Sequence, residues 1–421
     1  MTTPASASAP LSADSTVVIV GAGQAGSEFA AELRTLGYEG RVVMVGDEAP
    51  LPYKRPPLSK GYLTGTVTAD QLPIRNAAVH EKNRIEFIGG VRASSIDRVA
   101  KTVTLSNGDT IAYTRLALTT GGRARPLPLP GADLANVMSL RSVADADTIR
   151  AQLVEGRRLV IIGGGYIGLE IAAVAVKAGL HVTVLEAAPR VLARVTAPEI
   201  SEFYTRVHRE EGVDVRVGVQ IAALTGDGAV SGVRLVDGST VNADAVIVGI
   251  GLIANTELAS AAGLAVDNGI VVDEYGYTSD PDIVSAGDCA NRPSALLGGR
   301  VRLESVPNAM EQGRHAARAL MGQPKAYDEL PWFWSDQYEL KLQMCGLSAG
   351  YDQLVVRGST ANRTFSAFYL RQGRIIAGDA VSQLRDFGVI KKLVAARAEI
   401  APDRLADETV ALKDLAAAVV A

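Results

Sequence analysis

A short β-branched run feeding directly into Gly-x-Gly-x-x-Gly occurs twice in this chain, and few folds accommodate it even once. The first copy is Thr16-Val-Val-Ile-Val20 followed by Gly21-Ala-Gly23-Gln-Ala-Gly26; the second is Leu159-Val-Ile-Ile162 followed by Gly163-Gly-Gly165-Tyr-Ile-Gly168. Strand, glycine turn and helix in this order grip a dinucleotide pyrophosphate. The glycines permit the tight turn and let the backbone approach the phosphates, while the helix start offers unpaired N–H groups and the positive end of its dipole. Each fingerprint leads into a helical pattern (27–36 and 169–178), a second strand (41–45 and 181–185) and then an acidic residue, Asp47 or Glu186. A carboxylate at that point is where a ribose hydroxyl pair is accepted. Two such sites imply two nucleotides between which electrons can pass.

The repetition continues downstream. The first copy runs through Ile85-Glu-Phe-Ile88, a hairpin (101–105 and 110–113) around Asn107-Gly108, and the closing segment 116–122. The second runs through 213–217, a hairpin (232–236 and 240–242) around Asp237-Gly238, and the closing segment 245–251. Asn-Gly and Asp-Gly between alternating strands are strong two-residue turn signals. The fold class is therefore α/β, with two similar Rossmann-type domains, each a parallel sheet with a small antiparallel flap.

At 421 residues the chain has room for two or three domains. A net charge of −4 without a basic block argues against nucleic acid or an anionic membrane, and no apolar run is long enough to span a bilayer. Residues 1–14 read as a disordered Ala/Ser/Thr/Pro tail rather than a signal peptide, so a soluble cytoplasmic protein is expected. Cys289 and Cys345 are the only cysteines, which excludes the paired thiols of a dithiol–flavin reductase; Cys289 reads as a small buried hydrophobe. His80, His181, His208 and His315 have no ligand spacing, so no metal is expected.

After the second copy, a short strand at 283–286 ends in Gly287-Asp288, suited to deliver a carboxylate to a ribityl or ribose hydroxyl. A helix opens at Pro307 and runs to about Met321; Pro at a first helical position is a start signal. From about residue 324 the texture changes to an α+β pattern with strands at 341–345, 353–357, 365–370 and 374–379, and helices at 387–397 and 409–421. Both tryptophans fall in Pro331-Trp-Phe-Trp-Ser-Asp-Gln-Tyr338; Trp332, Phe333 and Trp334 are expected as domain-interface core, ahead of a role in shielding a cofactor or touching a redox partner.

These elements together with Val45-Gly-Asp-Glu-Ala-Pro-Leu-Pro-Tyr-Lys-Arg-Pro-Pro-Leu-Ser-Lys60, Ala286-Gly-Asp288 and Glu304-Ser-Val-Pro-Asn308 resemble the putidaredoxin-reductase family over nearly the whole chain. That family comprises FAD-containing, NADH-dependent ferredoxin reductases serving cytochrome P-450 or aromatic-ring dioxygenase systems. The resemblance implies a glutathione-reductase-like fold: a tail at 1–14, an FAD domain at 15–124 and 253–323, an inserted NAD domain at 125–252, and a C-terminal domain at 324–421. It implies FAD contacts from Gly21, Ala22, Gly23, Gly26, Asp47, Lys60, Ala93, Arg141, Asp288 and Val306. It implies NADH contacts from Gly163, Gly165, Tyr166, Ile167, Gly168 and Glu186. Lys60 and Glu170 are similar to the family's buried pair beside the flavin.

Hydride transfer between stacked rings needs geometry and charge rather than a protein acid or base, which suits a lysine oriented by a glutamate. The partner implied is a 2Fe–2S ferredoxin, for which Arg75, Arg314, Lys341 and Trp334 are the docking candidates, with Arg292, Arg300 and Arg302 nearby in sequence. Two other readings share the fold: an NADH oxidase or peroxide reductase, and a redox-sensing binding protein like apoptosis-inducing factor. The C-terminal aromatic motif favours the ferredoxin reductase.

Overall fold

The computed structural model describes residues 11–418, which pack as two compact units. The expected tail falls outside them except for 11–14, where Leu11 packs against the core; the end of the expected last helix, 419–421, also lies outside the described residues.

The first unit contains 11–54, 70–123 and 253–331. Its centre is a five-stranded parallel sheet in the order Ile283–Ser285, Arg115–Leu118, Thr16–Val20, Arg41–Val45, Ile85–Ile88. The fingerprint strand is central, and Val17, Val18 and Ile19 are fully buried, as the β-branched run requires of a strand covered on both faces. Alternation sorts the side chains. Val17, Ile19, Val42 and Met44 pack with Phe29 and Leu33 of helix Gln24–Thr35 and Ala316 and Leu320 of helix Val306–Leu320. Val18, Val20, Val43 and Val45 pack with Ile96, Val103 and Ile111 of a three-stranded antiparallel flap. The two helices approach so closely that a Cβ at Gly313 would lie 2.4 Å from the Ala25 carbonyl oxygen.

The second unit contains 55–69, 124–252 and 332–418. Its parallel sheet repeats the arrangement: Asp214–Val217, His181–Glu186, Arg158–Ile162, Ala245–Val248, Val137–Met138. Val160, Ile162, Leu185 and Val246 bury against Leu224, Val233 and Leu235 of its own flap. The C-terminal segment forms a five-stranded antiparallel sheet ordered Trp332–Gln337, Leu340–Gly346, Arg374–Val381, Thr364–Arg371, Gln353–Ser359, covered by helix Leu384–Ala395. Segment 55–69, sequence-adjacent to the first copy, packs in this unit because Ser59, Lys60 and Tyr62 find their polar partners there, at Glu170 and Asp147.

Two local readings are corrected. Both fingerprint helices start three residues earlier than their apolar pattern suggested, at Gln24 and Tyr166, with Gly23 and Gly165 as N-caps. Helical propensity disfavours glycine, yet Gly26 and Gly168 sit in the first turn because a Cβ there would strike the carbonyl oxygens of Gly21 and Gly163, at 2.2 and 2.3 Å. The aromatic segment is the strand Trp332–Gln337, and Trp332, Phe333 and Trp334 are only half-buried. The fully buried positions of that strand are Ser335 and Gln337.

Candidate functional site

The two glycine turns have nearly superimposable stereochemistry. Gly21 has φ +110° and Gly163 φ +108°, and a Cβ would fall 2.2 Å from the Thr119 carbonyl oxygen in one and 2.4 Å from that of Gly249 in the other. These first glycines are fixed by the protein itself: the turn passes under the closing strand of its own sheet. The middle glycines differ in kind. Around Gly23 and around Gly165 no protein atom lies within 4 Å of a built Cβ, so the space is open and the helix N–H groups are reachable. Neither cap residue provides a side-chain acceptor to the helix start. An open, uncapped helix N-terminus whose approach a methyl group would block fits a pyrophosphate.

Around the first cradle, Ala22 packs against the core and its Cβ faces Gly46, at 2.7 Å from where a Cβ would stand. Gly287 donates its N–H to Gln312 Oε1 at 2.7 Å, and a Cβ on it would come 2.9 Å from Ala25 Cβ. That brings Asp288 beside the first turn of the fingerprint helix. Val306 opens the helix Val306–Leu320, capped by the Ser305 hydroxyl. Ala93 begins the flap strand Ala93–Asp97. Asp47 is 62% exposed and faces Arg92 at 3.7 Å; its neighbour Glu48 is half-buried and accepts the Tyr53 hydroxyl.

The second cradle is tighter around its carboxylate. Glu186 accepts the backbone N–H of Gly164 at 2.7 Å through one oxygen and that of Ala188 at 2.7 Å through the other. It therefore braces the turn as well as marking its edge. Ile167 is exposed at the cradle while Tyr166 is half-buried against Phe333, ring centroids 5.0 Å apart. Arg190 and Arg194 follow Glu186 by a few residues, where an arginine can receive a 2′-phosphate; Arg190 donates to Ser201 Oγ and the Ala193 carbonyl, and Arg194 is exposed.

Lys60 and Glu170 meet. Lys60 follows the single turn Pro56–Ser59, and Glu170 sits on the second turn of helix Tyr166–Lys177; Nζ lies 2.8 Å from Oε2. Glu170 is 4% exposed and also accepts the hydroxyls of Ser59, at 2.5 Å, and Ser335, at 2.7 Å. Three charge-assisted donors offset the desolvation of that carboxylate. Lys60 keeps about a fifth of its side chain accessible, so the pair shows its positive end outward. Arg141 is in the same unit, its backbone carbonyl accepting from Arg55 and its N–H donating to Asp145, the carboxylate that also closes the Ser142 capping box. Serines 59 and 335, Gln337 and His208 were not singled out from the sequence. The readable signal was two small polar residues at inward positions of an aromatic strand.

The docking candidates are engaged in ion pairs. Arg75 and Arg314 converge on the buried Glu28, at 3.1 and 2.9 Å, and Lys341 lies 3.3 Å from Asp336. Cys289 and Cys345 are free and buried.

Residues 15–313 match the pyridine nucleotide-disulphide oxidoreductase family model, and residues 332–416 the reductase C-terminal model. The chain is 49% identical to putidaredoxin reductase of Pseudomonas putida over 97% of its own length and 98% of that protein. It is 43% identical to the ferredoxin–NAD(+) reductase component of the anthranilate 1,2-dioxygenase system of Burkholderia cepacia, over 94% of this chain and 98% of that one. Among solved structures, the covalent putidaredoxin reductase–putidaredoxin complex matches with a TM-score of 0.95 at 48% identity, covering 97% of this chain and all of the reductase.

Proposed function

The chain belongs to the pyridine nucleotide-disulphide oxidoreductase family, and we propose that it works there without a disulfide, as a ferredoxin reductase. It is an FAD-dependent NADH:ferredoxin oxidoreductase of a glutathione-reductase-like fold, passing electrons to a ferredoxin that serves a P-450 or ring-dioxygenase system. The observation that carries this is the pair of open glycine cradles joined in one chain to an ion-paired lysine and the reductase C-terminal segment.

We assign 15–124 and 253–323 to flavin binding, 125–252 to NADH and 324–421 to a C-terminal domain. Gly21, Ala22, Gly23, Gly26, Asp47, Ala93, Asp288 and Val306, with Lys60 and Arg141, would hold FAD. Gly163, Gly165, Tyr166, Ile167, Gly168 and Glu186 would hold NADH. Held by the first set, FAD would supply the capacity to accept a hydride from NADH and to release electrons singly to a 2Fe–2S centre. The protein's part is to hold the nucleotides by their phosphates and riboses and to keep a fixed positive charge at Lys60, oriented by Glu170. Substituting Lys60 by Met should slow flavin reduction at saturating NADH roughly 10- to 100-fold with NADH affinity little changed. Stopped-flow bleaching reads this directly, and an unchanged limiting rate removes Lys60 from the chemistry.

The ferredoxin surface is assigned to Arg75, Arg314, Lys341 and Trp334. Because Glu28 already neutralises part of Arg75 and Arg314, steering rests on local potential rather than net charge. The chain should work in the cytoplasm; among the described residues no helix is long and apolar enough to cross a membrane, and both thiols are unpaired. Purified protein should be yellow and should reduce ferredoxin with NADH at a rate that falls as salt rises, whereas reduction of an uncharged quinone should not fall. Charge reversal at Arg314 and Lys341 that left the salt dependence intact would place the docking face elsewhere.

A further inference from the structure

Behind Glu170 the hydrogen bonding does not stop. The Ser335 hydroxyl donates to Glu170 Oε1 at 2.7 Å, the Gln337 amide donates to Ser335 Oγ at 3.2 Å, Gln337 Oε1 faces His208 Nε2 at 2.9 Å, and the Tyr338 hydroxyl meets His208 Nδ1 at 2.8 Å. Ser335, Gln337 and His208 are at most 1% exposed. The line runs from Lys60 through two helices and one strand of the C-terminal sheet to a turn.

Its polarity follows from the lysine end. A carboxylate paired with Lys60 only accepts, so Ser335 must donate to it and can take only the Gln337 N–H₂ in return. The Gln337 carbonyl then faces His208 and needs a proton on Nε2. Nδ1 is left with a lone pair, which the Tyr338 hydroxyl fills. Five groups are thus ordered in one direction, and the histidine tautomer is specified by an ion pair three hydrogen bonds away. Burial supports the neutral ring by pushing His208 down to about 4.

The far end carries a second, independent mark. Tyr338 is the first of two central residues in the turn closed by Gln337 and Leu340, with φ +57°. Glycine ordinarily takes a positive φ there, and a bulky side chain costs roughly 1 kcal/mol or more. The tyrosine ring packs against His208 at a 58° tilt, centroids 5.0 Å apart, beneath Lys177 Nζ at 5.2 Å from the ring centroid. The turn keeps a strained tyrosine whose hydroxyl ends the line.

We propose that Ser335, Gln337, His208 and Tyr338 are positioning residues: a one-directional relay that fixes the Glu170 carboxylate and, through it, the Lys60 ammonium. The inference rests on the assignment of Lys60 to flavin chemistry. None of the four is a catalytic residue, and no proton moves along the line, since the amide of Gln337 interrupts transfer.

The test uses the holoenzyme. Ser335→Ala, which cuts the relay at Glu170, should lower the limiting rate of flavin reduction on the order of tenfold at unchanged NADH half-saturation, and Ser335→Thr should restore it to within about threefold. Tyr338→Phe, which keeps the ring packing, should cost about threefold. The readout apart from activity is the ¹⁵N spectrum of the His208 ring: the wild type should show the Nε2–H tautomer, and Lys60→Met should shift it. If Ser335→Ala leaves the rate and the ring spectrum untouched while Lys60→Met slows reduction, the network merely fastens the strand and the relay is refuted. If Lys60→Met does not slow reduction, the assignment beneath fails instead, and an unmoved His208 spectrum in that variant sinks the relay separately. Should Ser335→Ala not fold, Tyr338→Phe and the Lys60→Met spectrum decide alone.

Discussion

The two nucleotide-binding copies agree at the glycine turn and differ at the carboxylate that follows the second strand. Their first glycines have φ within a few degrees of each other, and the closing strand lies under both turns at the same distance to within 0.2 Å. Their sheets place the fingerprint strand at the centre with the same neighbours in the same parallel register. The outermost strand is recruited from opposite directions, Ile283–Ser285 from far downstream and Val137–Met138 from just upstream. The acidic residues diverge most: Asp47 is exposed, whereas Glu186 is tied to two backbone N–H groups. Sterics therefore repeat faithfully, and recognition has separated.

The sharpest way to break this comparison is at the first glycines. Gly21→Ala and Gly163→Ala each drive a Cβ into a carbonyl oxygen at a φ that L-residues rarely adopt, which should cost several kcal/mol locally. Gly21→Ala should give a protein that does not retain flavin. Gly163→Ala should stay yellow but lose NADH-dependent flavin reduction by at least about a hundredfold, while dithionite still bleaches it. Swapped outcomes, with Gly163→Ala colourless and Gly21→Ala yellow, would exchange the ligands of the two copies.

The second copy also carries a buried ionisable group, His208, on helix Pro198–Glu210. Desolvation lowers it from 6.5 to about 4 against the opposing hydrogen bond to Gln337. Between those values the unfolded chain takes up a proton that the folded one refuses, so stability falls as pH drops from about 6.5 and is unaffected above it. At pH 4 this amounts to about 3 kcal/mol. His208→Gln should flatten that stretch of the urea-midpoint profile measured by tyrosine and tryptophan fluorescence. An identical acid limb in the variant would mean other groups govern it.

What could be read from the sequence divides along the same line. Strands Thr16–Val20, Arg41–Val45 and Ile85–Ile88 have the bounds their apolar runs and turn residues suggested; in the first two, burial on both faces leaves no alternative pattern. The helix starts were misread because Gly26 and Gly168 in the first turns are required by close contact with the carbonyls of Gly21 and Gly163, which propensity does not see. Lys60 and Glu170 were identified by resemblance, and they do meet. Ser335, Gln337 and His208 escaped because a serine and a glutamine on one strand acquire meaning only when two helices distant in sequence bring Glu170 and His208 into line with them. The aromatics of that strand, expected as domain-interface core, are half-buried, with Phe333 against Tyr166, because period-two alternation gave the most buried positions to the polar pair.

The carboxylates offer the finest test. Glu186→Ala removes the brace on Gly164 and, on the proposed assignment, the ribose acceptor, so NADH efficiency should fall about tenfold or more and the preference over NADPH should narrow. Of the two arginines that follow Glu186, Arg190 is spent on Ser201 and Ala193, which leaves the exposed Arg194 as the guanidinium a 2′-phosphate could reach; the wild type should prefer NADH, and equal efficiency of the two coenzymes would contradict the assignment of Glu186. Asp47→Ala is the contrasting change and the smallest effect of the series. An exposed carboxylate held only by a 3.7 Å contact to Arg92 contributes within about 0.5 kcal/mol to stability. Flavin retention should weaken by no more than about threefold if neighbouring Glu48, fixed by Tyr53, shares the ribose contact. Equilibrium dialysis of flavin from the two variants side by side, Asp47→Ala and Glu48→Gln, separates the possibilities. Loss of flavin from Asp47→Ala alone would show that the exposed residue closes on the ligand, and that the two copies recognise ribose alike after all.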